Sequence, residues 1–234
     1  MLATIMRRTS DGRIAWSDAF SLDRATPPPS EPGGRGVTRT LVVVAHPDPA
    51  SRTMRVAERL RDRLGGATIA DLAAEGFDPR FGVADLADYR AQTRTDDAVL
   101  AEQARVDAHD HLVLVFPAHW WSMPALLKGW IDRVLVGGWA FALAHDGSIV
   151  RMLDRLTVHA IPVAGTDAAL WERHGYAAAL ETQLMHGVVD YCGARRGAVV
   201  ILHDSERPDD AALAADLEST VAAVAAAIRM TPTR

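Results

Sequence analysis

Residues 111–116, HLVLVF, form a short and almost unbroken apolar run. Such a run suits a strand buried on both faces, as inside a parallel sheet. Further strands are read at 40–45 (TLVVVA), 67–72, 156–163 and 197–202 (GAVVIL). Between them apolar residues recur at helical spacing. Val56, Leu60 and Leu64 stripe a helix over 53–64 that Gly65-Gly66 ends. Leu127, Ile131 and Val134 share one face of a helix over 124–136, which Gly137-Gly138 breaks. Leu180, Leu184 and Val188 mark a helix over 176–191, with Gly193 as its cap. Leu213, Leu217, Val221, Val224 and Ile228 stripe the last helix, opened by Pro208-Asp209-Asp210 with acids in its first turn. A helix is also read over 96–108, and 73–94 shows no pattern. Apolar strands alternating with helices imply an α/β fold: one parallel sheet with helices on both faces.

At 234 residues the chain suits one domain with a leader. Pro27-Pro28-Pro29 and Pro32-Gly33-Gly34 mark residues 1–36 as a disordered N-terminal extension, with the domain at 37–234. A net charge of −5 argues against a nucleic-acid surface. The single cysteine, Cys192, excludes an internal disulfide framework; it is expected to be packed rather than reactive, in a reducing cytoplasm. No uninterrupted apolar stretch reaches membrane-spanning length, so membrane insertion is not expected, and no signal segment follows Arg7-Arg8.

The chemistry is expected where the strands end. In a sheet of order 2-1-3-4-5 the switch lies between the first and third strands, and their loops become neighbours. The first loop, 46–53, offers Ser51, Arg52 and Thr53 at a helix N-terminus. These residues suit a phosphate, or they simply cap the helix, and the two roles are compatible. The second loop is Pro117-Ala118-His119-Trp120-Trp121, followed by Ser122-Met123-Pro124 with a hydroxyl that caps the next helix. An aromatic, backbone-rich loop in that place suits a flat conjugated ring. Trp139 and Phe141 fall near the same edge, while Trp130 belongs to the core. No Gly-x-Ser-x-Gly elbow, phosphate-binding lysine loop or glycine-rich dinucleotide fingerprint occurs.

His46-Pro47-Asp48 is similar to a turn of zinc-dependent sugar N-deacetylases, in which the histidine is a ligand and the aspartate a base. Pro49-Ala50 stand where those enzymes carry a second acid. His109 and His111 lie at the amino end of the central strand, away from the loops, and are expected at a solvated strand entry.

Residues 41–47 and 114–141 resemble the NAD(P)H:quinone oxidoreductase family, in its bacterial branch. Phe116-Pro117, Trp120, Pro124-Ala125, Leu127-Lys128-Gly129-Trp130 and Ala140-Phe141 carry the resemblance in family order and spacing, and Tyr191-Cys192-Gly193 extends it. The resemblance covers most of 40–205 and is weak over 73–108. It implies a flavodoxin-like three-layer sandwich, non-covalent FMN or FAD, NAD(P)H as co-substrate and a homodimer. Two electrons would pass as hydride through the flavin to a quinone or similar acceptor. His46, Ser51, Arg52 and Thr53 would hold the flavin phosphate or ribityl region, and Pro117, Ala118, His119, Trp120 and Trp121 would line its ring. The family's Thr-Thr-Gly-Gly loop is Val163-Ala164-Gly165-Thr166 here, so Gly165 and Thr166 are left to hold the cofactor by backbone donors. His174 and Tyr176 are candidates for proton or charge support. Trp121 and Phe141 would contact substrate, Phe141 by reaching a partner subunit's site. A second reading is a flavin-binding ancillary subunit docked on a potassium-efflux transporter; an electron carrier and a zinc-dependent deacetylase are further ones.

Overall fold

A computed structural model describes residues 7–8, 14–15, 39–91, 93–144, 146–208 and 210–231. The expected N-terminal extension lies outside the described residues, except that Arg7–Arg8 and Ile14–Ala15 pair antiparallel. The domain runs β1 (Thr40–Val44), α1 (Arg52–Leu64), β2 (Thr68–Asp71), α2 (Val83–Ala91), α3 (Asp97–Asp107), β3 (His111–Pro117) and α4 (Ala125–Val134). There follow β4 (Phe141–Leu143), β5 (Ile149–Arg151), β6 (Thr157–Val163), α5 (Ala168–His174), α6 (Tyr176–Glu181), a π-helix (Thr182–Asp190), β7 (Arg195–Val199) and α7 (Ala211–Met230).

Five strands form one parallel sheet in the order β2-β1-β3-β6-β7. This is the expected 2-1-3-4-5 order, with the β4–β5 ribbon set apart. Each apolar run feeds both faces. Val42, Val44, Val113, Val115 and Ile161 pack under α1 and α7. Leu41, Val43, Leu112, Leu114 and Phe116 pack under α4 and the π-helix. The stripe on α7 is buried as expected. Its Asp210 is the N-cap, accepting from the Leu213 N–H at 2.9 Å, and no acid lies within the first turn. α7 is long and apolar enough to cross a membrane, yet Leu213, Leu217, Val221, Val224 and Ile228 cover the sheet.

Residues 73–94 gave no pattern because apolar burial does not hold them. α2 buries no side chain. The segment is tied instead by the buried Arg133 of α4, whose guanidinium donates to Asp85 Oδ1 (2.8 Å), the Asp78 carbonyl (2.7 Å) and Asp96 Oδ2 (2.6 Å). The same segment presses Pro79 onto Gly129, where a Cβ would stand 2.1 Å from the Pro79 oxygen. Alanine is worth about 1 kcal/mol more than glycine inside a helix. Gly129→Ala is nevertheless expected to lower the urea midpoint, because Pro79 leaves no room.

The expected helix over 176–191 changes pitch at Thr182 and continues as a π-helix. Gly187 suits it, since a Cβ there would lie 3.3 Å from the Thr182 carbonyl. α5 is an element that periodicity did not mark, whereas the stretch 139–148, read as a loop or short ribbon, opens the β4–β5 ribbon.

His111 does not sit at a solvated strand entry. It is 1 % exposed and hydrogen-bonded through Nδ1 to His159 Nε2 at 3.0 Å; His159 is fully buried. His159 Nδ1 accepts from the Ala198 N–H at 2.9 Å, so its proton is on Nε2 and His159 is the donor of the pair. Gly197 leaves room for this ring, as a Cβ there would come within 2.3 Å of it. Burial, reinforced by His111, pushes His159 down to about 4 from 6.5. Burial also lowers His111. Between those values the unfolded chain binds more protons, so the contribution of His159 to stability falls as pH drops from 6.5 to about 4 and levels off below. The His159 shift is worth about 3 kcal/mol. His159→Gln keeps a donor and an acceptor without titrating; its urea midpoint should fall less steeply over that pH window than the wild type's.

Candidate functional site

The loops after β1, β3, β6 and β7 meet at the carboxyl edge of the sheet. β1 and β3 are neighbours, with the Ala45 N–H donating to the Val115 carbonyl at 3.2 Å, so loops 46–51 and 118–124 lie side by side.

The β3 loop is a tight turn. Pro117 is the last strand residue, paired with Val163. The Ala118 N–H donates to the Val163 carbonyl at 2.9 Å, and the Ser122 N–H to the His119 carbonyl at 3.0 Å. Between them Trp120 and Trp121 have φ of 49° and 57°. Positive φ at both central positions is the signature of a type I′ turn, which normally takes Asn-Gly. Two tryptophans there cost roughly 1–2 kcal/mol each in backbone strain. Neither of their N–H groups donates to any described residue, so two donors without a partner among the described residues sit next to each other on the turn. Successive free amides of this kind favour negative charge. Ser122 does not cap α4: Pro124 is the N-cap, without a side-chain bond, and the Ser122 hydroxyl donates to Gln183 Oε1 at 3.1 Å.

Aromatic rings wall the turn. Trp121 stacks on Tyr176, with centroids 4.3 Å apart and planes 19° apart. His174 stacks on Tyr176 as well, at 5.3 Å. The buried Trp171 meets Tyr176 and His203 edge-on. Its indole N–H donates to Thr166 Oγ1 at 3.0 Å, and the Thr166 carbonyl accepts from the Asp204 N–H. Thr166 and Gly165 thus lie at the edge as expected, with the Glu206 carboxylate against Gly165. Trp120, by contrast, is 87 % exposed.

In the first loop His46 Nδ1 lies 3.0 Å from the Asp48 N and 3.2 Å from the Asp48 carbonyl oxygen, so the ring is bound to its own turn. Asp48 Oδ1 accepts from Ala50 N at 2.8 Å. Both residues serve this turn, and among the described residues no three His, Cys, Asp or Glu side chains gather as metal ligands. The Ser51 hydroxyl accepts from Met54 N at 3.2 Å, so it is a cap. Among the described residues the Arg52 and Thr53 N–H groups donate to nothing, as the first turn of a helix dictates.

Three of the expected site residues make contacts that the local sequence does not show. Arg52 does not point at open space: its terminal nitrogens donate to the Ser205 and Arg207 carbonyls and strap the β7 loop to α1. Thr53 is buried beneath the first turn of α1 and presents no open hydroxyl. Phe141 is buried edge-on against Tyr191 at 5.0 Å. Sequence reasoning missed Gln183, His203 and the Ser205–Arg207 strap, which become neighbours of the site only through the crossing of helices and loops. Burial pushes the Cys192 thiol up to about 11, so it is inert.

The two tryptophans carry equal strain but different contacts. Trp120→Gly should raise stability by about 1 kcal/mol by relieving φ alone. Trp121→Gly should lower it by about 1 kcal/mol, as the ring stacked on Tyr176 is lost. Urea denaturation of both variants checks the opposite signs.

A family model described as the flavodoxin-like fold matches residues 38–224. Among curated proteins, the rat ribosyldihydronicotinamide dehydrogenase [quinone] is 29 % identical over 181 residues, covering 66 % of this chain and 77 % of its own. Among solved structures, the NAD(P)H:quinone oxidoreductase of Methanothermobacter marburgensis superposes with a TM-score of 0.72 at 21 % identity, covering 80 % of this chain and 96 % of that one. General stress protein 14 of Treponema denticola, solved in complex with FMN, superposes with a TM-score of 0.57 at 23 % identity, over 82 % of this chain and 98 % of its own.

Proposed function

We propose that this chain, which belongs to the family of the flavodoxin-like fold, is a flavin-dependent oxidoreductase that passes two electrons from NAD(P)H to a quinone or similar planar acceptor. The observation that carries this reading is the strained Trp120–Trp121 turn, with two free amides at the switch point of the sheet. Strain of this order persists at sites where it serves binding.

The residues present fit a non-covalent flavin, FMN or FAD. At the phosphate end would stand the N–H groups of Arg52 and Thr53, which have no partner among the described residues, and the His46 imidazole. At the ring end the Trp120 and Trp121 amides would stabilise negative charge on the reduced ring, and Trp121 with Tyr176 would supply the aromatic wall. When bound, the flavin supplies the hydride-accepting and hydride-donating centre. His174, exposed and stacked on Tyr176, would hold a proton near that centre. The names of the quinone-reducing relatives support a small-molecule acceptor. The exposed Trp120 and the exposed Leu143, Ile149 and Val150 of the ribbon support burial against a second copy, as a homodimer.

The test is an absorbance spectrum of the purified protein, reconstituted with FMN or FAD if needed. Anaerobic NADPH should bleach the flavin bands and benzoquinone should restore them. Protein that stays colourless after both reconstitutions overturns the reading.

A further inference from the structure

The helical segment from Tyr176 into the π-helix touches the tryptophan turn twice. Its first residue stacks on Trp121 (4.3 Å), and Gln183, in the first turn of the π-helix, accepts from the Ser122 hydroxyl at 3.1 Å. Ser122 is also the residue that closes the turn through its N–H, so this bond grips the turn at its last position. Gln183 follows Tyr176 by two helical turns, which brings both contacts onto the face that meets the β3 loop. A turn with two non-glycine residues at positive φ keeps that shape only where its surroundings over-determine it. The stack fixes one side chain of the turn; the Gln183 bond fixes its backbone exit.

We propose that Gln183 is a positioning residue, one that holds the Trp120–Trp121 amides in the orientation a flavin ring needs. The inference rests on the flavin reading above and adds to it a residue outside the cofactor loops. Its chemistry is specific. The Ser122 hydroxyl is the donor and Gln183 Oε1 the acceptor, so a carboxylate can replace the amide and an isobutyl group cannot.

The experiment uses the full chain stripped of flavin and titrated with FMN and with FAD, following flavin fluorescence. Gln183→Leu and Ser122→Ala should each weaken binding of the cofactor that the wild type takes by roughly threefold to tenfold, as loss of one partly exposed hydrogen bond implies. The double variant should be no weaker than either single one, because both remove the same bond. Gln183→Glu should stay within about twofold of wild type. The flavin midpoint potential should move negative in Gln183→Leu and not in Gln183→Glu, since misaimed amides stabilise the reduced ring less. A purely structural role would shift the unfolding midpoint and leave the potential in place. Additive losses, an unchanged potential in Gln183→Leu, or a Gln183→Glu variant as weak as Gln183→Leu would overturn the proposal while the flavin reading stands. A wild type that binds neither FMN nor FAD would overturn both.

Discussion

The site depends on one backbone constraint: two consecutive tryptophans held at positive φ after the central strand. Strands on both sides of β3 anchor the start of the turn, because Pro117 pairs with Val163 and Ala45 with Val115. The end of the turn is anchored by α4 and by Ser122. Strain cannot relax by rotation at either end without breaking sheet or helix bonds. The result is a rigid pair of free donors, and rigidity is what makes such donors effective, since nothing must reorganise when charge develops.

The other loops of the carboxyl edge are tied to one another more than to the turn. Arg52 joins α1 to the β7 loop, Ser205 N bonds the Ala164 carbonyl, and Asp204 N bonds the Thr166 carbonyl. This end of the edge is therefore a single bonded unit of three loops. The Arg52 charge is spent here on architecture, while the first-turn amides of α1 have no partner among the described residues. The opposite end of the sheet carries a different polar feature. His111 and His159 form a neutral pair inside a valine-rich face, and they fit because Gly197 yields the space and Ala198 supplies a donor. Their contribution is conditional on pH, whereas that of the surrounding aliphatic core is not.

How far all this is legible in the residues depends on the range of the interaction. The five strands, the α1 and α7 stripes and the glycine stops are periodic or adjacent signals, so they read correctly to within a residue or two at most ends. The same holds for the loops that gather at the switch point, which follow from strand order. Residues 73–94 were opaque because Arg133, roughly 40–55 positions away in the chain, organises them by charge. The surroundings of Arg52 and Phe141 were not legible because a side chain's direction is settled by what it meets across the fold. For Arg52 that was the carbonyls of 205 and 207, and for Phe141 the ring of Tyr191.

The sequence by itself determined the fold class, the sheet order suggested by its resemblance, and the presence of an aromatic loop at the ligand edge. Hydrophobic periodicity and turn chemistry are local, and they survive without knowledge of neighbours. Only the tertiary structure decided that both tryptophans adopt left-handed backbone, that Ser122 bonds Gln183 instead of capping α4, and that two histidines pair inside the core. Each of these joins residues far apart in the chain or overrides a local preference with several long-range bonds. A one-dimensional pattern carries no record of such a trade.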